Sequence, residues 1–162
     1  MSASAVIQHL YDSQIATSIR ESNDLFPVLQ TFHIVGTILL AGAIAIVDLT
    51  LLRVLFRGTA PETLTRSLLP ITWLGFAVML ISGGLLFAAQ SARIYTNFFM
   101  QLKLGLLAIA LLNVALFHAT TFRNAIRWND ASEAPASARV FAAVSLASWT
   151  AVIVTGRFIA YF

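Results

Sequence analysis

Three ionisable side chains within long apolar segments are the first candidates for chemistry in this sequence. They are His33 in "LQTFHIVG", Asp48 in "IVDLT" and His118 in "ALFHATT". An imidazole binds metals and transfers protons, and a carboxyl group transfers protons or accepts hydrogen bonds. The chain has no cysteine, which excludes thiolate metal sites and thiol nucleophiles. Any chemistry must therefore use nitrogen and oxygen groups.

The composition places these residues in a membrane protein. Of the 162 residues, 59% are hydrophobic and 10% are charged, whereas soluble domains carry about 25% charged residues. A membrane-spanning helix requires about 20 apolar residues, and we expect such helices over residues 26–55, 68–89, 98–122 and 138–162. The short connections predict one transmembrane domain over residues 25–162, an all-α, antiparallel four-helix bundle.

Residues 1–24 have a different pattern. Val6, Leu10 and Ile15 fall on one side of a helix at helical spacing, and polar residues fall on the other side. This pattern predicts an interfacial amphipathic helix that lies on the membrane surface before the first span.

Lysines and arginines predict the orientation of the bundle. Six of the ten lie in or beside the first and third connections, which the positive-inside rule makes cytoplasmic: Arg53, Arg57, Arg66, Arg123, Arg127 and Arg139. Both termini then face outward, which in a bacterium means an inner-membrane protein with periplasmic termini. The net charge of +3 follows from this topology and from contact with the lipid bilayer, so nucleic acid is not an expected partner.

Residue counting along the spans predicts an outer polar layer of His33, Lys103 and Arg157 together with Gln30. A layer with two cations and no acid favours an anion, so we expect His33 to be the metal ligand of a haem b whose propionates meet Lys103 and Arg157. His118 cannot be the second axial ligand, because about 24 Å separate it from His33 along the membrane normal. Alternatively, the two cations extend to the membrane surface.

A second layer, in the inner half of the bundle, contains Asp48, Asn113 and His118 together with Trp73. Asp48, Asn113 and His118 could form a proton relay, because each of these side chains donates or accepts a hydrogen bond. The structural alternative is that His118 hydrogen-bonds across the bundle or reaches the headgroups. Phosphate-binding loops, a serine-nucleophile motif and paired carboxylates are absent from the sequence, so hydrolase and nucleotide-binding functions have no support.

Five stretches together resemble one family: "IRESNDLFPVLQTFHIVG", "DLTLLR", "LLPITWLGFAVMLISGGLLF", "NFFMQLKLGLLAIALLNVALFH" and "SLASWTAVIVTGRFIAYF". They are similar to an uncharacterised bacterial family of small four-span membrane proteins, and the similarity covers nearly the whole chain. The resemblance implies the fold and an inner-membrane location. It implies no activity.

Three functions fit these residues, and the sequence leaves open whether the protein is an enzyme. The first is a haem-b electron-transfer module with its site in the outer half. The second is a proton-coupled or anion small-solute transporter or channel that uses both polar layers. The third is a non-catalytic subunit or scaffold that forms a homo-oligomer or binds a membrane redox partner.

Overall fold

The structure, a computed structural model, describes residues 3–56, 58–121 and 135–161, and this part of the chain is helical without strands. Four helices are long and apolar enough to cross a membrane, which confirms the predicted all-α transmembrane fold. The helices are α1 (Ala3–Tyr11), α2 (Gln14–Glu21), α3 (Leu25–Leu51), α4 (Pro61–Ile94), α5 (Phe98–Leu116), which a π-helical turn (Phe117–Thr121) continues, and α6 (Ala136–Phe158).

The four long helices do not form a closed ring. Helix α3 packs against α4 and α6, and α6 packs against α5, whereas α4 and α5 scarcely touch. We call the end of the bundle where α3 begins and α6 ends the termini face, and the opposite end the loop face. Because α4 and α5 do not pack together, the bundle has an opening on one side.

The contact between α3 and α4 is the most extensive in the bundle. A Cβ atom on Gly75 would lie 2.5 Å from the backbone nitrogen of Leu40, and one on Gly36 would lie 2.7 Å from that of Met79. Glycines allow this approach of two backbones, as they commonly do between membrane helices. The contact fixes which residues of α4 face the polar residues of α3.

The amphipathic N-terminal segment is helical, as predicted, but it forms two short helices instead of one. The Ser13 hydroxyl accepts a hydrogen bond of 3.3 Å from the Ala16 backbone and thereby starts α2 as a new helix. Both helices pack against α4. Arg20 stacks on the Tyr11 ring at 3.9 Å and donates a hydrogen bond to the Ala89 carbonyl of α4.

Helix α4 is longer than the predicted span 68–89 at both ends. Pro61 occupies its first turn, where proline is favoured, and Glu62 forms an ion pair of 2.9 Å with Arg66. Its 34 residues extend over about 51 Å, whereas the bilayer core is about 30 Å thick. One end of α4 can therefore extend beyond the core, and α1 and α2 pack against α4.

Several residues that the sequence analysis used lie outside the described part of the chain. These are Arg57, Arg123 and Arg127, on which the orientation depends, and Phe122 and Phe162, at which two predicted spans end. The orientation of the bundle therefore stays a prediction.

Candidate functional site

A cavity of about 410 Å³ lies in the loop-face half of the bundle. Helices α3 and α6 form its floor, and α4 and α5 form its two sides, so it opens where α4 and α5 separate. Most of the lining is apolar, and the larger apolar side chains include Leu40, Ile44, Leu68, Phe76, Phe117 and Phe141. This volume and chemistry are typical of small-molecule sites, which range from about 300 to 1,000 Å³.

The predicted inner layer comes together at this cavity. Asp48 from α3, Asn113 from α5, His118 from the π-helical turn and Trp73 from α4 all line it. These residues come from four separate segments of the chain. The structure therefore brings into one cavity four side chains that the sequence analysis placed only at a similar depth in the membrane.

Asp48 lies on the floor of the cavity and is 6% exposed. Its Oδ2 atom is enclosed and has no hydrogen-bond partner within the described residues. Ser145 of α6 is the hydrogen-bonding side chain that approaches the carboxyl group. No basic side chain in the described ranges pairs with Asp48, so its buried carboxyl group is only partly satisfied.

Asn113 has a structural partner, because its Nδ2 donates a hydrogen bond of 3.1 Å to the Phe141 carbonyl of α6. His118 lies at the edge of the cavity, where its Nδ1 is 2.9 Å from the Val114 carbonyl. A carbonyl oxygen can only accept, so Nδ1 carries the proton in this contact. His118 belongs to the π-helical turn Phe117–Thr121, and such turns occur frequently at functional sites.

His33 lies in the other half of the bundle, against α4. Its Nδ1 is 3.2 Å from both the Met79 carbonyl and the Ser82 hydroxyl. Since the carbonyl can only accept and Ser82 donates to Val78, Nδ1 carries the proton and Nε2 carries the lone pair. The ring lies against Gly83, where a Cβ atom would be 2.9 Å from its Cε1.

The predicted outer layer is divided between the interior and the surface. Lys103 lies close enough to His33 to interact with it electrostatically, and its side chain runs along Gly156 of α6. Arg157 is exposed, donates a hydrogen bond of 2.7 Å to the Tyr161 hydroxyl and stacks over that ring. The structure therefore brings Lys103 but not Arg157 towards His33.

The sequence profile of a family of unknown function, DUF6644, matches residues 24–162. The chain belongs to this family. The match includes α3 to α6 of this DUF6644 protein, and thus every residue of the cavity, but not α1 and α2. No curated protein and no solved structure matches the chain.

Metal binding in this DUF6644 protein would depend on His33 with little help from other side chains. No group of three or more histidine, aspartate or glutamate residues suited to a metal occurs in the described ranges. The 410 Å³ cavity is not lined by His33. His118 lies in the opposite half of the bundle and belongs to that cavity instead.

Two residues that line the cavity of this DUF6644 protein, Trp149 and Ser145, were not among the site residues predicted from the sequence. Trp149 is 5% exposed, and its indole Nε1 is enclosed without a hydrogen-bond partner in the described ranges. Ser145, one helical turn earlier, approaches Asp48. Helical spacing places Ser145 and Trp149 on one face of α6, but that spacing could not show that this face meets Asp48.

Proposed function

We propose that this membrane protein binds a small, largely apolar molecule that enters its cavity from the bilayer between α4 and α5. The observation that carries the proposal is the convergence of Asp48, Asn113 and His118 on one largely apolar cavity of about 410 Å³. Among the three predicted functions, this one is nearest to the proton-coupled small-molecule alternative, with Asp48 as the polar group that meets the bound molecule.

The surroundings of the opening favour a lipid-soluble molecule. Leu69 and Trp73 on α4 and Leu111 on α5 line the cavity and are 44%, 62% and 50% exposed on the apolar outer surface of the bundle. A molecule that enters here passes apolar side chains. Among the described residues that line the cavity, Asp48 and His118 are the two with ionisable side chains. The acidic Asp48 disfavours the binding of an anion.

Tryptophan fluorescence tests the proposal. In a Trp73→Phe/Trp128→Phe protein, Trp149 on the cavity floor is the single fluorophore, and a brominated alkylbenzene should quench it saturably in nanodiscs. Ala115 lines the cavity and is exposed, so Ala115→Phe should weaken the quenching several-fold. Ala108 of α5 is exposed outside the cavity, and Ala108→Phe is the matched control. A folded protein without saturable quenching would contradict the proposal.

A second candidate function is haem-b binding at His33, with electron transfer as its role. The observation in its favour is the hydrogen bond from His33 Nδ1 to the Met79 carbonyl, because ligating histidines generally donate their other N–H in this way. Lys103 would meet a propionate. The test is the reduced-minus-oxidised absorption spectrum after haem addition, with His33→Ala and His118→Ala compared. A Soret band that both variants keep, or no band at all, would reject this candidate.

A further inference from the structure

We infer that Lys103 binds the head group of an anionic membrane phospholipid, in a site between α5 and α6 at the termini face. Lys103 is partly buried, and its side chain runs along Gly156 of α6. A Cβ atom on Gly156 would lie 3.2 Å from the Lys103 Nζ atom and 3.5 Å from its Cε atom. The side chain is therefore positioned against α6 at a residue without a side chain. Neither residue lines the 410 Å³ cavity, so the inference is independent of the proposed function.

The ammonium group of Lys103 has no anionic partner among the described residues. No described acidic side chain forms an ion pair with it, and no described group accepts a hydrogen bond from it. His33 is close enough to interact with Lys103 electrostatically, but an imidazole carries no negative charge. A cation within a membrane span is costly unless it is paired or reaches a polar region. An external anion would supply the missing partner.

The Lys103 nitrogen is accessible to such an anion. Within the described residues, Asp48 Oδ2 and Trp149 Nε1 are examples of enclosed polar atoms without hydrogen-bond partners. Lys103 Nζ also has no hydrogen-bond partner there, but it is not one of the enclosed atoms. The nitrogen therefore retains accessible surface, and an anion can contact it without a change in the packing of the helices.

The depth of the ammonium group favours a lipid head group as this anion. Phe99, in the first turn of α5, stacks on Phe158 with ring centroids 5.2 Å apart, and Gly156 lies only two residues before Phe158. Lys103 Nζ, beside Gly156, is therefore near the start of α5. The 24 residues from Phe98 to Thr121 extend over about 36 Å, and the hydrocarbon core is about 30 Å thick, so the core begins close to this level. Phospholipid phosphates lie just outside the core.

Native mass spectrometry of the purified protein tests the inference with dioleoylphosphatidylglycerol and dioleoylphosphatidylcholine. The two lipids have the same tails, but only the first has a net negative charge. We expect the first to bind at least about fivefold more tightly, because a basic residue near the head groups attracts anionic lipids. Equal binding would overturn the inference. Displacement of the lipid by inorganic phosphate, beyond the effect of sodium chloride at equal ionic strength, would replace the lipid with a free anion and also overturn it.

A charge variant connects the lipid preference to Lys103. Lys103→Gln removes the charge and keeps a long polar side chain, so it should reduce the ratio of the two affinities towards one. Arg93 is an exposed cation near the end of α4, at the same end of the bundle, and Arg93→Gln should keep the full ratio. Equal losses in the two variants would indicate a general attraction to surface cations and would overturn the specific site.

A second variant leaves every charge in place. Gly156→Val would fill the space beside Lys103 and displace its ammonium group, so the ratio should fall several-fold. A Cβ atom on Gly105 of α5 would have no neighbour within 4 Å, and Gly105→Val is the matched control. Thermal unfolding in the same detergent identifies the variants that fold. A ratio that stays unchanged in folded Lys103→Gln or Gly156→Val protein would contradict the site.

Discussion

At the level of single residues, Asp48 and Asn113 are both buried polar side chains of one cavity, but their surroundings give them different roles. Asn113 is 8% exposed and bonds across helices to the Phe141 carbonyl. Asp48 has an enclosed oxygen without a partner in the described residues. A buried polar group that hydrogen-bonds to a neighbour stabilises the fold. A buried polar group without a full set of hydrogen-bond partners lowers stability, and such groups are typical of functional sites.

This difference predicts opposite effects of the same replacement. Asp48→Leu should keep or raise the melting temperature, because it removes an enclosed polar atom whose burial costs about 1–3 kcal/mol. Asn113→Leu should lower the free energy of unfolding by about 1 kcal/mol, because it breaks the hydrogen bond to α6. Thermal unfolding in the same detergent measures both. A strong loss of stability in Asp48→Leu would mean that Asp48 has a structural role.

At the level of helices, the contact of α3 with α4 depends on two glycines. Gly75→Ala would place a methyl group 2.5 Å from the Leu40 backbone nitrogen, and backbone atoms cannot move aside as a flexible side chain can. We expect a loss of about 1–3 kcal/mol in unfolding free energy. Gly84 of the same helix has open space at its Cβ position, so Gly84→Ala is the control and should leave the free energy of unfolding unchanged or raise it slightly. Equal effects of the two substitutions would contradict this close contact.

Arg20 contacts both α1 and α4 from its position on α2, so we expect it to stabilise the packing of α1 and α2 against α4. Its guanidinium contacts the Tyr11 ring, the Tyr11 carbonyl and the Ala89 carbonyl, and thereby joins α1, α2 and α4. Arg20→Ala should speed hydrogen exchange over residues 3–21 several-fold while exchange in α3 and α6 stays unchanged. Arg93→Ala, an exposed arginine near the end of α4, is the control. Unchanged exchange in Arg20→Ala would show that apolar packing alone holds the two helices.

At the level of the whole molecule, the proposed function predicts that the cavity is accessible from the bilayer through the opening between α4 and α5. The chain has no cysteine, so single introduced thiols report on this opening. Leu111 and Leu112 are both exposed, but only Leu111 lines the cavity. With a nitroxide attached in detergent to either Leu111→Cys or Leu112→Cys, the brominated alkylbenzene should reduce the mobility of the label at position 111 and leave the label at position 112 unchanged. Equal changes at the two positions would contradict binding in the cavity.

Much of the fold could be predicted from the sequence. A helix that crosses a bilayer must contain an apolar run of matching length, which identified the four spans. The fixed rise per residue also assigned Asp48, Asn113 and His118 to one half of the bundle. Helix ends were less predictable, since Pro61 starts α4 before the apolar run and Ser13 divides the N-terminal segment.

The sequence alone determined how deep each polar side chain lies, because depth depends only on its position within its own helix. Only the tertiary structure decided which side chains share one space, because this depends on the rotation and spacing of helices that contact one another far apart in sequence. The backbone contact at Gly36 and Gly75 and the gap between α4 and α5 are of this kind. They bring Asp48 and Trp149 together among the residues that line one cavity.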